Sequence, residues 1–199
     1  MGTNTTSKIY YYNSIEKYSS YEFGKKLLSI LKDRMCYHRT IIFLCIGTDR
    51  ATGDCLGPII GYKLSKQPYF KYKVYGTLEN PVHAKNLQDT VKEIYDTYDN
   101  PLVIAIDASL GQSDHVGFIT VGEGAIKPGA GVNKELPMVG DLFITGIVNL
   151  SGLLDHMLLQ TTRLNVVMSL ADYICQGINY CSFQLEKETK DVLVSNHKI

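Results

Sequence analysis

Two aspartates are the residues best suited to chemistry, because each follows a short apolar run that is typical of a buried strand. Asp54 lies in the turn after TIIFLCIG (40–47), and Asp107 ends the run LVIAID (102–107). Two carboxylates brought together can share a proton, so that one pKa rises, the other falls, and the pair supplies an acid and a base. The same pair could instead hold a divalent metal through its oxygen atoms. Either residue alone could also cap a helix or a strand.

Other polar residues and glycines near the predicted strand ends are candidates for substrate binding. Asp49 and Arg50 come directly after the first apolar run, at the end of a strand where α/β sheets bind ligands. His83 follows Asn-Pro-Val at a predicted helix start, where a role as ligand or general base competes with that of a helix-end residue. Gly129 and Gly131 belong to a Gly-rich loop that is either a flap over a site or a flexible connection.

The remaining motifs argue against several other kinds of chemistry. The run GTDRATGDCLG (47–57) matches neither of the glycine patterns that hold nucleotide phosphates. Ser109 is not part of a G-x-S-x-G turn, so a serine hydrolase elbow is not supported. The five cysteines include no C-x-x-C pair. Their number and spacing argue against a disulfide framework or a zinc finger and favour a reducing cytoplasm.

Composition and charge are those of an ordinary globular chain. The 199 residues include 20 Lys plus Arg and 20 Asp plus Glu, so the formal net charge is zero and no bulk field attracts nucleic acid. Every apolar run is shorter than the ~20 residues that a membrane-spanning helix needs. The polar N-terminus lacks the pattern of a signal peptide. We predict a single domain over residues 1–199 that binds neither nucleic acid nor a membrane.

Strand-like and helix-like segments alternate along the chain. Apolar residues at helical spacing predict helices, and short apolar runs predict strands. The predicted helices span 21–34, 52–66, 83–98 and two segments within 153–184 that separate near Thr161 and Thr162, and the predicted strands span 40–47, 72–77, 102–107, 115–123 and 142–149. This order predicts an α/β fold, a three-layer sandwich with a mostly parallel central sheet and helices on both faces.

The two ends of the chain carry less pattern than its middle. Residues 1–20 are predicted to form a loose N-terminal arm, and the last residues, ETKDVLVSNHKI (188–199), to be weakly structured. In the predicted C-terminal helices, four apolar residues fall within one turn. They could bury a core, which we favour, or an interface in a homo-oligomer. These residues are Leu153, Leu154, Met157 and Leu158.

Both aspartates belong to longer segments that, taken together, resemble a known family. The segments are GTDRATGDCLGP (47–58), GTLENPVHAKN (76–86), AIDASLG (105–111), and KPGAGVNKELPMVGD (127–141) with ITGIVN (144–149). In this order they resemble the YyaC-type sporulation proteins, a group related to the germination protease of spore formers. The resemblance spans roughly residues 40–160, and four ordered segments are far more specific than any single glycine pattern.

The resemblance implies a fold similar to that of the hydrogenase maturation proteases and the activity of an atypical aspartic peptidase. By their positions in the matching segments, Asp54 and Asp107 correspond to the two proposed catalytic aspartates. The implied partner is a protein or peptide substrate, of which the small acid-soluble proteins of spores are the family-level example. The implied location is the cytoplasm, in the forespore or the spore core.

The resemblance implies no cofactor. In the maturation proteases the corresponding carboxylates help to bind a metal together with a histidine. No segment here matches that histidine, and we assign no metal. Two alternative functions stay open: a non-catalytic sporulation factor that binds a protein, and a metal-binding processing protease.

Overall fold

The computed structural model describes residues 8–34, 40–129, 136–152 and 154–196. The strands are β1 (Ile9–Asn13), β2 (Ile41–Cys45), β3 (Lys73–Tyr75), β4 (Leu102–Gly111), β5 (Phe118–Glu123) and β6 (Leu142–Leu150). They form one six-stranded sheet in the order β1-β5-β6-β4-β2-β3 within this part of the chain. Strands β3, β2, β4 and β6 run parallel to one another. At one edge, β5 pairs antiparallel with β6, and β1 pairs antiparallel with β5.

Helices cover both faces of this sheet. The helices are α1 (Ser19–Arg34), α2 (Leu56–Ser65), α3 (Leu87–Thr97), α4 (Asp155–Gln160) and α5 (Leu164–Asn196), with short 3-10 turns at Gly53–Cys55 and Ser113–His115. Apolar residues of α1, α2 and α5 pack on one face, and those of α3 pack on the other. The prediction of a three-layer α/β fold with a mostly parallel sheet is therefore confirmed. None of the described helices is both long and apolar enough to cross a membrane.

The central strands are continuously apolar because both of their faces are covered. In β2, Ile41 and Phe43 pack into the cluster formed with α1, α2 and α5, whereas Ile42 and Leu44 pack into the cluster formed with α3. All five residues of the strand are buried. A strand with one solvated face would instead alternate apolar and polar residues. The apolar runs in the sequence therefore identified the middle of the sheet.

Strand β1 shows that the predicted loose arm is wrong for part of residues 1–20. Ile9–Asn13 pairs antiparallel with β5. Tyr10 and Tyr12 pack against the core from this strand. Residues 1–7 of the predicted arm lie outside the described residues. Pairing with a strand far along the chain orders this segment, and local sequence gives no sign of that pairing.

The C-terminal helices also differ from their prediction. The predicted break near Thr161 and Thr162 is confirmed, since α4 ends at Gln160 and α5 begins at Leu164. The predicted weakly structured tail is wrong for residues 188–196, because α5 continues to Asn196, and residues 197–199 of that tail lie outside the described residues.

The apolar turn in the first of these helices does not form core as predicted. Leu154 and Met157 are 61% and 55% exposed, so the core interpretation is wrong for both. Leu158 is partly buried, and Leu159 is the buried residue of α4. Leu153 lies outside the described residues. An interface between copies of the chain stays a prediction.

Helix α2 begins very close to the end of β2 because glycines leave room for the backbone. A Cβ atom at Gly57 would lie 2.1 Å from the carbonyl oxygen of Ile46. A Cβ atom at Gly47 would lie 2.0 Å from the carbonyl oxygen of Asp54, and Gly47 has a φ of +140° that side chains disfavour. The two glycines therefore bring the turn that carries Asp54 against the end of the strand.

We expect Gly57→Ala to lower the free energy of unfolding by about 2–4 kcal/mol, because the added methyl group meets backbone that has no room to move. Gly152→Ala is the matched control, since its Cβ atom would have no neighbour within 4 Å. It should change the free energy of unfolding by less than about 0.5 kcal/mol. Urea denaturation of both variants measures the difference, and equal stabilities would contradict the close approach.

Candidate active site

The two aspartates meet at a reversal point in the strand order. After β2 the chain forms β3 on one side of it and then β4 on the other side. In open α/β sheets such a reversal leaves a crevice at the carboxyl ends of the strands, where ligands bind. Asp54 follows β2 in the 3-10 turn Gly53–Cys55, and Asp107 lies in the second half of β4. The fold therefore brings together two residues that are far apart in sequence.

Backbone hydrogen bonds hold the turn that carries Asp54. The Thr48 amide donates to the carbonyl oxygen of Asp54 at 3.0 Å, and the Asp54 amide donates to the carbonyl oxygen of Ala51 at 3.0 Å. The residues that precede the 3-10 turn and α2 are Thr52 and Cys55, and neither start has a side-chain capping bond. Asp54 is therefore not a helix cap, and its carboxyl group is left for another role.

Asp107 is buried, with 5% of its surface exposed. Its Oδ1 accepts the amide hydrogen of Ala108 at 2.8 Å. Its Oδ2 accepts the amide hydrogen of Gly129 at 3.4 Å. The sequence suggested Gly129 as a substrate-binding residue, and the structure shows it in contact with the second aspartate. The loop after β5 thus reaches back over the end of β4 and orients the Asp107 carboxyl group.

His83 reaches the same place through the turn before α3. Val82 forms an isolated parallel bridge with Ile46, the residue after β2. The His83 amide donates to Asn86 Oδ1 at 2.8 Å, and the His83 carbonyl oxygen accepts the Leu87 amide at 2.9 Å. The helix starts at Leu87, so the predicted start at His83 is wrong by one turn. His83 Nδ1 is buried and has no hydrogen-bond partner among the described residues.

A cavity of about 340 Å³ joins these residues. Most of the residues that the sequence singled out line it: Arg50, Asp54, His83, Asp107 and Gly129. Its volume falls within the range of ~300–1,000 Å³ that is usual for ligand sites. The described part of the chain therefore contains a pocket of suitable size around both carboxylates.

One of the predicted substrate-binding residues does not line this cavity, and another lies outside the described residues. Asp49 is exposed and does not line it, although its neighbour Arg50 does. Burial raises the pKa of the Cys55 thiol, and the charges of Asp49 and Asp54 raise it further. The expectation that Asp49 lies in the pocket is therefore wrong. Gly131 lies outside the described residues.

Sequence reasoning did not select two titratable residues that line the cavity, His156 and Lys85. His156 comes from α4, which is tied to the end of β6 by Asn149. Asn149 Nδ2 donates to the carbonyl oxygen of Leu158 at 2.9 Å and to Thr162 Oγ1 at 3.2 Å. The asparagine that ends the segment ITGIVN was the available signal, because a polar residue at a half-buried strand end needs partners.

The two carboxyl groups have different electrostatic environments. Burial raises the pKa of Asp54 to about 6, against the backbone hydrogen bond from Thr48 and the charge of His156. Burial, followed by the charge of Asp54, raises the pKa of Asp107 well above its usual range. Both pKa values are therefore raised, so the expectation that one of them falls is wrong; the fully buried Asp107 is biased more strongly than Asp54 toward its protonated form.

The described residues contain no group of three or more His, Cys, Asp or Glu side chains placed to hold a metal ion. The cavity nevertheless holds two carboxyl groups and the buried His83 Nδ1, which are chemically suitable ligands. The alternative of a metal-binding protease therefore stays a question for metal analysis.

Fold and site together define an α/β protein with a paired-carboxylate cavity at the carboxyl ends of its central strands. Comparison with known proteins then shows its family. The family model described as "Protein of unknown function (DUF1256)" matches residues 10–177, so the chain belongs to this family.

A similar protein and a solved structure add to this comparison. The chain is 48% identical over 158 residues to the "Uncharacterized protein YyaC" of Bacillus subtilis (strain 168), covering 78% of this chain and 77% of that protein. The resemblance to YyaC-type proteins is therefore confirmed. The [NiFe] hydrogenase maturation protease HycI from Thermococcus kodakarensis KOD1 aligns with 16% identity and a TM-score of 0.40, over 75% of this chain and 99% of that one.

We expect Asp54→Asn to stabilise the protein at neutral pH. A raised folded-state pKa means that the folded state keeps its proton longer than the unfolded state. Stability therefore falls as pH rises from the ordinary value of 3.8 to about 6, and it stays lower above that. A shift of about two pKa units corresponds to at most about 3 kcal/mol, which the neutral asparagine would restore.

Urea denaturation at several pH values measures this effect. Asp49→Asn is the matched control, because it removes the same formal charge from an exposed position. It should change the free energy of unfolding by less than about 0.5 kcal/mol. If Asp54→Asn were less stable than the wild type at neutral pH, the assignment of a destabilising buried charge would be wrong.

Proposed function

We propose that this protein is an endopeptidase of atypical aspartic type that hydrolyses a protein substrate with Asp54 and Asp107. The observation that carries the proposal is that two carboxyl groups line one cavity at the carboxyl ends of the central strands, where burial raises the pKa of both. A pair of buried carboxyl groups without a function would be unusual. Burying such a group lowers the stability of the fold, because it must either carry a charge away from water or stay protonated above its ordinary pKa. Hydrolysis of a peptide bond needs both a base and an acid, and this pair supplies them.

The assignment of roles follows from the pKa values. Asp54 is the less buried of the two and its pKa is raised only to about 6, so its carboxylate takes a proton from a water molecule that attacks the peptide carbonyl carbon. Asp107 keeps its proton and delivers it to the leaving nitrogen as the carbon–nitrogen bond breaks. The carbonyl oxygen carries the negative charge in between and returns to a double bond. A proton passed from Asp54 to Asp107 restores the starting state.

The developing oxyanion needs a donor or a positive charge. Backbone amides of the loop after Gly47 and of the glycine-rich loop are the first candidates to consider. The Gly47 amide donates to Val82, the Thr48 amide to Asp54, and the Gly129 amide to Asp107. Each of these three amides therefore already has a hydrogen-bond acceptor within the protein.

Charged side chains around the cavity are better placed for the same task. Arg50 and Lys85 both line it, and a cation near a developing negative charge stabilises the transition state. The buried Nδ1 of His83 is a further polar atom that a bound substrate could engage.

The first substrates to test are the small acid-soluble proteins of spores, which the resemblance implies. The relative from Bacillus subtilis supports action inside a sporulating cell, with the forespore as the proposed place. The near-zero net charge supports a protein substrate over nucleic acid, because no bulk field draws phosphate to the molecule.

We expect Asp54→Asn and Asp107→Asn each to lower kcat for such a substrate by about 100-fold or more, because each removes the acid or the base. Asp49→Asn, which lies outside the cavity, should keep activity within a few-fold of the wild type. Cleavage followed by mass spectrometry gives the rates and the cleaved bonds. Full activity of a double Asn variant would exclude the mechanism.

An inactive wild type would favour the non-catalytic binding protein instead. Cleavage that appears only after a divalent metal is added would favour the metal-binding protease. Metal analysis of protein purified without chelator tests that second alternative directly.

The pH dependence of kcat should be bell-shaped, with an acid limb near pH 6 set by Asp54. Loss of His156 should move that limb to higher pH, since the His156 charge lowers the pKa of Asp54. His156→Gln tests this, with Arg163→Gln as a control that removes a positive charge from an exposed residue outside the cavity. If the acid limb did not move in His156→Gln, the His156 charge would have no effect on the titration of Asp54.

A further inference from the structure

A second cavity, of about 580 Å³, lies over the other half of the sheet. On the face that carries Asp107, helix α3 packs against β2 and β4. Farther along the same face, the second cavity lies over residues of β6, β5 and β1. We refer to it as the sheet groove, lined among others by Tyr11, Ser109, Thr120, Thr145 and Ile147.

The sheet register connects the groove to the carboxylate pair. Asp107 pairs with Thr145, Thr145 with Thr120, and Thr120 with Tyr11. Residues paired across neighbouring strands project from the same face of a sheet. One row of side chains therefore crosses four strands, from the candidate acid at one end to the sheet edge at the other.

Hydroxyl groups form the polar floor of this row. Thr120 Oγ1 and Thr145 Oγ1 are 2.6 Å apart and share a hydrogen bond. Ser109 Oγ donates toward Thr145 Oγ1 at 3.3 Å and toward the carbonyl oxygen of Gly146 at 3.4 Å. Hydroxyl groups both donate and accept, so such a row suits the alternating N–H and C=O groups of an extended peptide.

Aromatic and apolar side chains form the rest of the groove. The His115 ring lies 5.5 Å from the Tyr11 ring and 5.2 Å from the Phe118 ring. Phe143 and Ile147 line the groove from β6. A binding site of this kind, mostly apolar with a few placed polar groups, is the usual form for organic ligands.

The charge of the groove argues for a polypeptide rather than a phosphate-containing ligand. Among the described residues that line the groove, none is Lys or Arg. Glu123 is its acidic residue, and the Glu123 carboxylate accepts a hydrogen bond from Arg34 Nε at 2.7 Å. A nucleic acid or a phosphorylated ligand would need positive charge here.

We propose that the sheet groove binds an extended segment of the polypeptide substrate next to the bond that is cleaved. The proposal rests on the proposed peptidase function of Asp54 and Asp107. The backbone of the segment meets the hydroxyl row, and one of its apolar or aromatic side chains packs beside Tyr11 and Ile147. Continuity from Asp107 to the groove along one sheet face gives the segment its place relative to the acid.

The test uses the full chain with Asp107→Asn, so that binding is measured without cleavage. The probe is a mixture of acetylated decapeptides of varied sequence, added to the isotope-labelled protein. We expect amide chemical-shift changes to concentrate at Ser109, Thr120 and Thr145. Changes confined to other surfaces, or no binding, would overturn the groove proposal.

Variants then locate the contact. Tyr11→Ala should weaken peptide binding on the order of tenfold, as loss of an interface aromatic does. Ser109→Ala removes a floor hydroxyl without touching β1 and should also weaken it. Tyr69→Ala is the control, since Tyr69 is 86% exposed and does not line the groove. Equal affinity of Tyr11→Ala, Ser109→Ala and the control would overturn the proposal.

The two proposals fail separately. If peptides bound in the groove of the Asp107→Asn protein and the wild type cleaved nothing, the groove proposal would be supported and the proposed peptidase function contradicted. If the wild type cleaved its substrate and the groove variants kept the wild-type KM, the proposed peptidase function would be supported and the groove proposal contradicted.

Discussion

The cost of ionising a carboxyl group at the buried end of β4 governs the chemistry of this molecule. Asp107 is buried in a strand whose two faces are both covered, so water cannot solvate its charge. The nearby Asp54 adds electrostatic repulsion. Burial therefore favours the protonated form of Asp107, whereas the pKa of the less buried Asp54 is raised to about 6. The fold thus gives two identical side chains different electrostatic environments.

That placement depends on close packing at the strand ends. Helix α2 can start against β2 only because Gly57 has no side chain opposite the Ile46 carbonyl oxygen. The turn before α3 is held by Asn86, and α4 is held by Asn149, so three separate segments converge on one cavity. Each of these contacts uses a residue from one of the segments that first suggested the family. The segments therefore describe the walls of a cavity as well as its carboxyl groups.

The site also has an energetic consequence for the whole domain. A carboxyl group whose folded-state pKa is raised opposes folding at neutral pH. The large apolar clusters on both faces of the sheet offset that cost. Proteins commonly retain such costs at functional positions, because optimising them for stability removes the property that the function needs.

The sequence by itself determined the middle of the fold and the carboxylate pair. Continuous apolar runs identified β2 and β4, helical spacing identified α1 and α3, and the rule that ligands bind at strand ends singled out Asp54 and Asp107. These features are local or follow from a general rule of parallel sheets, so they can be read along the chain.

Only the tertiary structure decided which other residues join the pair. It placed His156 in the cavity and left Asp49 outside, although Asp49 is close to Asp54 in sequence and His156 is remote. It also ordered Ile9–Asn13 as a strand by pairing it with β5. The raised pKa of Asp107 was equally beyond the sequence, because it depends on burial and on the distance to a second charge. Long-range packing sets both quantities, and no local pattern encodes them.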